Sequence, residues 1–82
     1  MPEGTSARIA RLYGQVLDVD RVSGDDDFFV LGGNSLTAME LLDAIDAELG
    51  IRLPPRVLYR ATAVADLARE VDALLARPDQ GA

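Results

Sequence analysis

The chain has 82 residues, with 14 acids against eight arginines, a formal net charge of −6, and neither histidine nor cysteine. A single domain of this size buries only about 60–65% of its unfolded surface and has no room for a lidded cavity of its own; the missing residue types exclude disulfides, zinc or iron–sulfur ligation and histidine general-base chemistry. The acidic balance argues against a nucleic-acid partner, and no apolar stretch approaches a membrane span or a signal core, so the expected location is the cytoplasm.

Residues 1–5 are expected to be flexible, and the domain to run from Ser6 to Ala76. Ser6 precedes Ile9, Leu12, Tyr13, Val16 and Leu17 at i, i+3, i+4, i+7, i+8 spacing, which predicts a first helix with one buried stripe. Gly14 lies inside it and costs about 1 kcal/mol against alanine unless close packing needs the missing side chain. Residues 18–34 form a long connection rich in Asp, Gly and Ser, whose apolar Val22, Phe28, Phe29 and Leu31 are expected to pin it to the core. A second helix is predicted from about Leu36 to Leu49, ending at Gly50. Ala38, Leu41, Leu42, Ile45 and Leu49 make its core face, Leu36 and Met39 lie off that stripe toward Ser35, and Glu40, Asp43 and Asp46 face solvent. Ile51 to Leu53 is extended, and Pro54-Pro55 holds that form before a short helix over Arg56–Arg60. Its Tyr59 is expected as a core ring with the hydroxyl at the surface. A final helix covers Ala63 to Ala76, with Val64, Leu67, Ala68, Val71, Leu74 and Leu75 inward and Asp66 in the first turn. The tail, residues 77–82, has no apolar anchor and is expected to be flexible. The expected fold is all-α: a small bundle of three longer helices and one short one, with a long loop after the first.

Ser35 sits in Leu31-Gly32-Gly33-Asn34-Ser35-Leu36, at the junction of a glycine turn and the second helix. Two glycines strip side chains from the approach, so another enzyme's active site can close over the hydroxyl. Unpaired amides at the helix start favour an anion there by ~0.3–1 kcal/mol, which suits a phosphate ester on Ser35. A second reading of the same residues is that Ser35 or Asn34 caps the helix. Nine acids and only Arg21 lie between positions 18 and 48, a local charge of −8 that would steer a basic partner or merely solvate the surface.

Two other patterns fail on residue chemistry. Gly33-Asn34-Ser35 begins like a hydrolase G-x-S-x-G, but position 37 is threonine and no histidine exists to deprotonate the serine. Asp25-Asp26-Asp27 lacks the alternating donors and sixth-position glycine of a calcium loop. No metal ligand set or catalytic group is therefore assigned.

Asp26-Asp27-Phe28-Phe29-Val30-Leu31-Gly32-Gly33-Asn34-Ser35-Leu36 resembles the core motif of thiolation domains, the peptidyl carrier proteins of nonribosomal peptide synthetases. The similarity extends through Ile9 to Leu17, Val22 to Asp26, and Gly50 to Ala68. The resemblance implies a noncatalytic, monomeric carrier. Ser35 would receive 4′-phosphopantetheine from coenzyme A through a phosphopantetheinyl transferase with magnesium, with Gly32, Gly33 and Asn34 forming the approach turn. It further implies that the thiol of that arm holds aminoacyl or peptidyl groups as thioesters, loaded by an adenylation enzyme or domain and used by condensation or tailoring enzymes. Leu36 and Met39 match positions that touch partner enzymes in the family, although core packing is the other reading of each. Arg56 and Arg60 would meet a partner's acidic rim or form a solvated helix face.

Departures from the family pattern bear on the details. Asn34 stands where many peptidyl carriers have histidine or aspartate, and the acidic second helix is closer to a fatty acid or polyketide acyl carrier, which is the alternative reading. Thr62-Ala63 replaces a common Pro-Thr entry and is expected to loosen the join into the last helix. From a different class, a small helical interaction module without prosthetic group would use the Leu36 and Met39 patch alone. The placement of the helices close to both ends leads us to expect a free-standing carrier rather than an excised piece.

Overall fold

The spacing of apolar residues translates directly into helices in the computed structural model, which describes residues 4–76. Among the described residues the backbone forms α1 (Thr5–Leu17), α2 (Ser35–Leu49), α3 (Pro55–Arg60) and α4 (Val64–Leu75). An isolated antiparallel bridge joins Asp27 to Ala63. The all-α bundle of three longer helices and one short one is therefore what the described residues form. No helix among the described residues is long and apolar enough to cross a membrane. Helix α1 packs against both α2 and α4, and α3 contacts α2 and α4.

Helix α1 begins at Thr5, inside the stretch expected to be flexible, with Gly4 as its extended N-cap. The rest of that stretch, residues 1–3, and the tail at 77–82 lie outside the described residues. Ile9, Leu12 and Tyr13 are buried, and Val16 and Leu17 pack at the core's edge. The chain leaves α1 through Asp18, whose φ of 58° is left-handed, a conformation that aspartate tolerates better than most side chains. This turn brings the Val19 carbonyl oxygen within 2.8 Å of where a Cβ on Gly14 would stand, while the Val19 N–H donates to the Gly14 carbonyl at 3.0 Å. Close packing thus accounts for glycine inside the helix.

Ala38, Leu41, Leu42 and Ile45 bury the inner face of α2, and Gly50, at φ 70°, ends it in the left-handed conformation that glycine adopts without steric cost. Helix α3 starts at Pro55, one residue before the expected Arg56, because proline's missing N–H is harmless at a first helical position. Two positions differ from expectation. Val57 and Leu58 take the buried face of this short helix, so Tyr59, 100° further round, is 51% exposed and is not a core ring. Leu75 likewise lies 100° past half-buried Leu74 on the last turn of α4 and is exposed.

The long connection is pinned, as its apolar residues suggest. Phe28 is fully buried and meets the Tyr13 ring edge-on at 5.1 Å. The join between α3 and α4, expected to be loose, is instead tied to this connection. The Thr62 carbonyl accepts from Phe28 N–H at 3.0 Å and from the Tyr13 hydroxyl at 2.7 Å. Val64 N–H donates to Asp26 O at 3.1 Å and Ala65 N–H to Gly24 O at 3.0 Å. A threonine hydroxyl where proline would offer none adds a bond to Asp27.

Gly14→Ala tests this packing. Helix propensity alone would stabilise the variant by about 1 kcal/mol, but the clash with the Val19 carbonyl reverses the sign, with a net loss of about 1–2 kcal/mol expected from overpacking. Chemical denaturation reads the difference, and equal or greater stability would contradict the packing account.

Candidate functional site: the start of helix α2

The site is assembled by a turn over residues 27–34. Asp27 Oδ1 accepts from the amides of Phe29 at 2.9 Å and Val30 at 3.2 Å, and the Asp27 carbonyl accepts from Leu31 N–H at 3.0 Å. Gly32 N–H then donates to Phe29 O at 3.2 Å, and Gly33 N–H to Phe28 O at 3.0 Å. The amides from Phe29 to Asn34 are thus satisfied locally, and that of Phe28 by the Thr62 carbonyl, so the segment holds one shape without a helix or strand of its own.

The two glycines do different work. Gly32 adopts φ +111°, a region side chains rarely enter, and a Cβ there would have nothing within 4 Å, so it provides the open approach. Gly33 does not. A Cβ at Gly33 would lie 2.5 Å from the Phe28 ring, so its glycine lets the turn settle onto that buried aromatic. The expectation that both glycines clear the approach is corrected to one.

Asn34 is the helix cap: its Oδ1 accepts from Thr37 N–H at 3.0 Å, while Thr37 Oγ1 accepts from Asn34 N–H at 2.8 Å. This reciprocal box satisfies two donors at the helix end. Ser35 is thereby the first helical residue, exposed to solvent. Its own amide and that of Leu36 have no partner among the described residues, and the first turn carries no acid. The capping reading is realised at Asn34, leaving the Ser35 hydroxyl uncommitted. Two free amides and the positive end of a 15-residue helix surround it, an environment complementary to a phosphodiester.

Leu36 is 70% and Met39 49% exposed, three residues apart on one helical surface, so neither is a core residue. Val30, 84% exposed, adds an apolar side chain on the turn. Tyr59 lies stacked on Phe29, with ring centroids 5.4 Å apart. Arg56 is exposed on α3, whereas Arg60 pairs with Glu70 at 3.0 Å. The local negative charge is smaller than the count of acids suggests. Glu48 pairs with Arg11 at 2.9 Å and Arg8 at 3.4 Å, and Asp46 approaches Arg52 at 3.9 Å. Glu40 and Asp43 remain exposed, with no ion pair among the described residues.

Sequence reasoning missed the Asn34 and Thr37 box, for which the three-residue spacing was the available signal, and the exposure of Val30, for which there was none. It also missed the role of Asp27. The Thr62 hydroxyl, followed by the amides of Val30 and Phe29, holds the Asp27 carboxyl below its ordinary value despite partial desolvation. Burial pushes the Tyr13 phenol up, and the charges of Asp27 and Asp66 add to that.

With this geometry in view, the comparisons with known proteins are direct. The family model described as the phosphopantetheine attachment site matches residues 7–71, and the chain belongs to that family of carrier domains, whose prosthetic group is 4′-phosphopantetheine. Within it, tyrocidine synthase 3 of Brevibacillus parabrevis is 39% identical over 66 residues, 80% of this chain and 1% of the synthase. BlmI, a type-II acyl-carrier-protein from Streptomyces verticillus involved in bleomycin biosynthesis, superposes with a TM-score of 0.82 at 31% identity, covering 87% of this chain and 86% of that one. A peptidyl carrier protein in complex with the phosphopantetheine transferase Sfp and coenzyme A superposes with a TM-score of 0.81 at 27% identity, covering 89% and 95%. The chain therefore stands beside the thiolation domains of nonribosomal peptide synthetases, while spanning only about 1% of such a synthase's length. An interaction module without prosthetic group is set aside by the family match.

Two measurements check the site's construction. Gly33→Ala should displace Phe28 and lower stability by about 1–3 kcal/mol, with loss of near-ultraviolet aromatic dichroism; an unperturbed spectrum would contradict the contact. For Asp27, the folded value lies below the unfolded one of about 3.9, so the stabilisation is fully present above that pH and is lost as pH falls through the folded value. Asp27→Ala should cost about 1–3 kcal/mol at neutral pH, with the difference from the unaltered chain shrinking toward pH 3 in urea denaturation. A difference independent of pH would contradict the assigned bonds.

Proposed function

We propose that the chain is a noncatalytic carrier that presents aminoacyl or peptidyl thioesters on a 4′-phosphopantetheine arm attached to Ser35. The observation that carries this reading is the uncommitted, exposed Ser35 hydroxyl beside two free amides at the start of α2. With neither histidine nor cysteine in the chain, the base that takes the serine proton comes from a phosphopantetheinyl transferase. Ser35 Oγ forms the new O–P bond as the pyrophosphate linkage of coenzyme A breaks and adenosine 3′,5′-bisphosphate leaves. When bound, the arm supplies the thiol that holds the acyl group. The protein's own part is to keep the serine open through Gly32, to fix its direction through Asn34 and Thr37, and to stabilise the phosphodiester with the Ser35 and Leu36 amides.

The exposed apolar side chains of Leu36 and Met39 beside Ser35 on α2, with Val30 on the preceding turn, are the contacts offered to the transferase, an adenylation enzyme or domain, and condensation or tailoring enzymes. Arg56 is the α3 cation positioned for a partner's acidic group, while Arg60 is drawn to Glu70. Likeness to tyrocidine synthase 3 supports an aminoacyl or peptidyl cargo, and likeness to most of the type-II carrier BlmI supports a carrier that meets its enzymes in trans. A need for coenzyme A supports a cytoplasmic location.

Incubation with coenzyme A, magnesium and a broad-specificity transferase should add one phosphopantetheine by intact mass, located to Ser35 by fragmentation, and Ser35→Ala should remain unmodified. Met39→Ala should reduce the modification rate several-fold while unfolding within about 1 kcal/mol of the unaltered chain, as befits a half-exposed side chain. Label on another residue, or continued labelling of Ser35→Ala, would overturn the assignment.

A further inference from the structure

Resting on Ser35 as the attachment point, we propose that Thr62 is a positioning residue for it: the Thr62 hydroxyl, bonded to the Asp27 carboxylate, locks the turn that delivers the serine to the join between α3 and α4. Thr62 grips two successive residues of that turn. Its hydroxyl donates to Asp27 Oδ2, and its carbonyl accepts from Phe28 N–H at 3.0 Å. Asp27 passes the constraint on through Oδ1, which holds the amides of Phe29 and Val30. Phe28 passes it on through its ring and carbonyl, against which Gly33 is seated, and Gly33 is followed directly by the Asn34 cap and Ser35.

Every link in this sequence is a short contact between groups of little freedom: a β-branched hydroxyl, a carboxylate with both oxygens engaged, a buried ring and a glycine. The Thr62 carbonyl is held independently by the Tyr13 hydroxyl at 2.7 Å, so the backbone of the join stays anchored when the side chain changes. The hydroxyl lies in a half-buried position, and without it the join keeps its backbone bonds to Phe28, Asp26, Gly24 and the Tyr13 hydroxyl. Its loss therefore loosens the turn more than it unfolds the bundle, and the effect falls on the alignment of Ser35 in the transferase, where misplacement slows the chemical step.

The test compares Thr62→Val, which keeps the shape and removes the hydroxyl, with Thr62→Ser, which restores it, at a temperature where both remain folded. With coenzyme A, magnesium and a broad-specificity transferase, Thr62→Val should lower kcat for serine modification by about 3–10-fold and leave KM within about twofold, and Thr62→Ser should recover the rate. In the same variants, amide exchange at Gly33 should accelerate about tenfold in Thr62→Val relative to amides of α1 and α4, and return in Thr62→Ser. Unchanged kcat and Gly33 exchange would overturn the proposal, as would an equal loosening of Gly33, α1 and α4. If the unaltered chain takes up no label, the attachment reading fails, and the exchange comparison alone decides whether Thr62 holds the turn.

Discussion

The contact between Gly33 and the ring of Phe28 is the constraint on which the rest of the site depends. Burying Phe28 contributes about 1.5–3 kcal/mol, and its ring is fixed from below by Tyr13, so the position of Gly33 is set by the core and not by the flexible chemistry of a loop. From there only one residue, Asn34, separates the core contact from Ser35. A surface hydroxyl thus inherits the rigidity of the hydrophobic interior, although neither Ser35 nor its neighbours Asn34 and Leu36 are buried.

This arrangement reconciles two demands on a carrier. The reactive point must be open enough for other enzymes to enclose it, yet held in one direction so that each finds it in the same place. Openness comes from Gly32 and from a first helical turn without acids; direction comes from the Asn34 and Thr37 box above and Phe28 below. Val30, Leu36 and Met39 leave exposed apolar side chains on the turn and the start of α2, while exposed Glu40 and Asp43 further along α2 retain part of the negative field. Since Glu48 is engaged by Arg8 and Arg11, that field centres on the middle of the helix.

Much of the fold was legible because helix periodicity is a local signal. Ala38, Leu41, Leu42 and Ile45 announce the buried face of α2, and the off-stripe Leu36 and Met39 announce its exposed one. The anchors Phe28 and Phe29 likewise mark a pinned connection. What was not legible depends on pairing across the chain. Thr62 meets Asp27 from 35 positions away, and nothing near either residue signals the other, so a join expected to be loose is tied. Gly33 reads from sequence as an open approach because its partner ring lies behind it in space. Tyr59 and Leu75 follow apolar neighbours that claim the core first, a competition that a short helix or a last turn resolves by geometry. The family resemblance points to Ser35 through a contiguous motif, and the structure shows which neighbouring residues hold it.

The central claim is that residues 27–34 are as rigid as the helices they join, despite having no regular secondary structure. Backbone 15N relaxation of the unmodified chain measures this directly. The account predicts order parameters for Phe28, Leu31 and Gly33 near the rigid-backbone level of about 0.85, equal to those of α2. Values below about 0.6 at these residues, with α2 remaining ordered, would show a flexible tether and contradict the account.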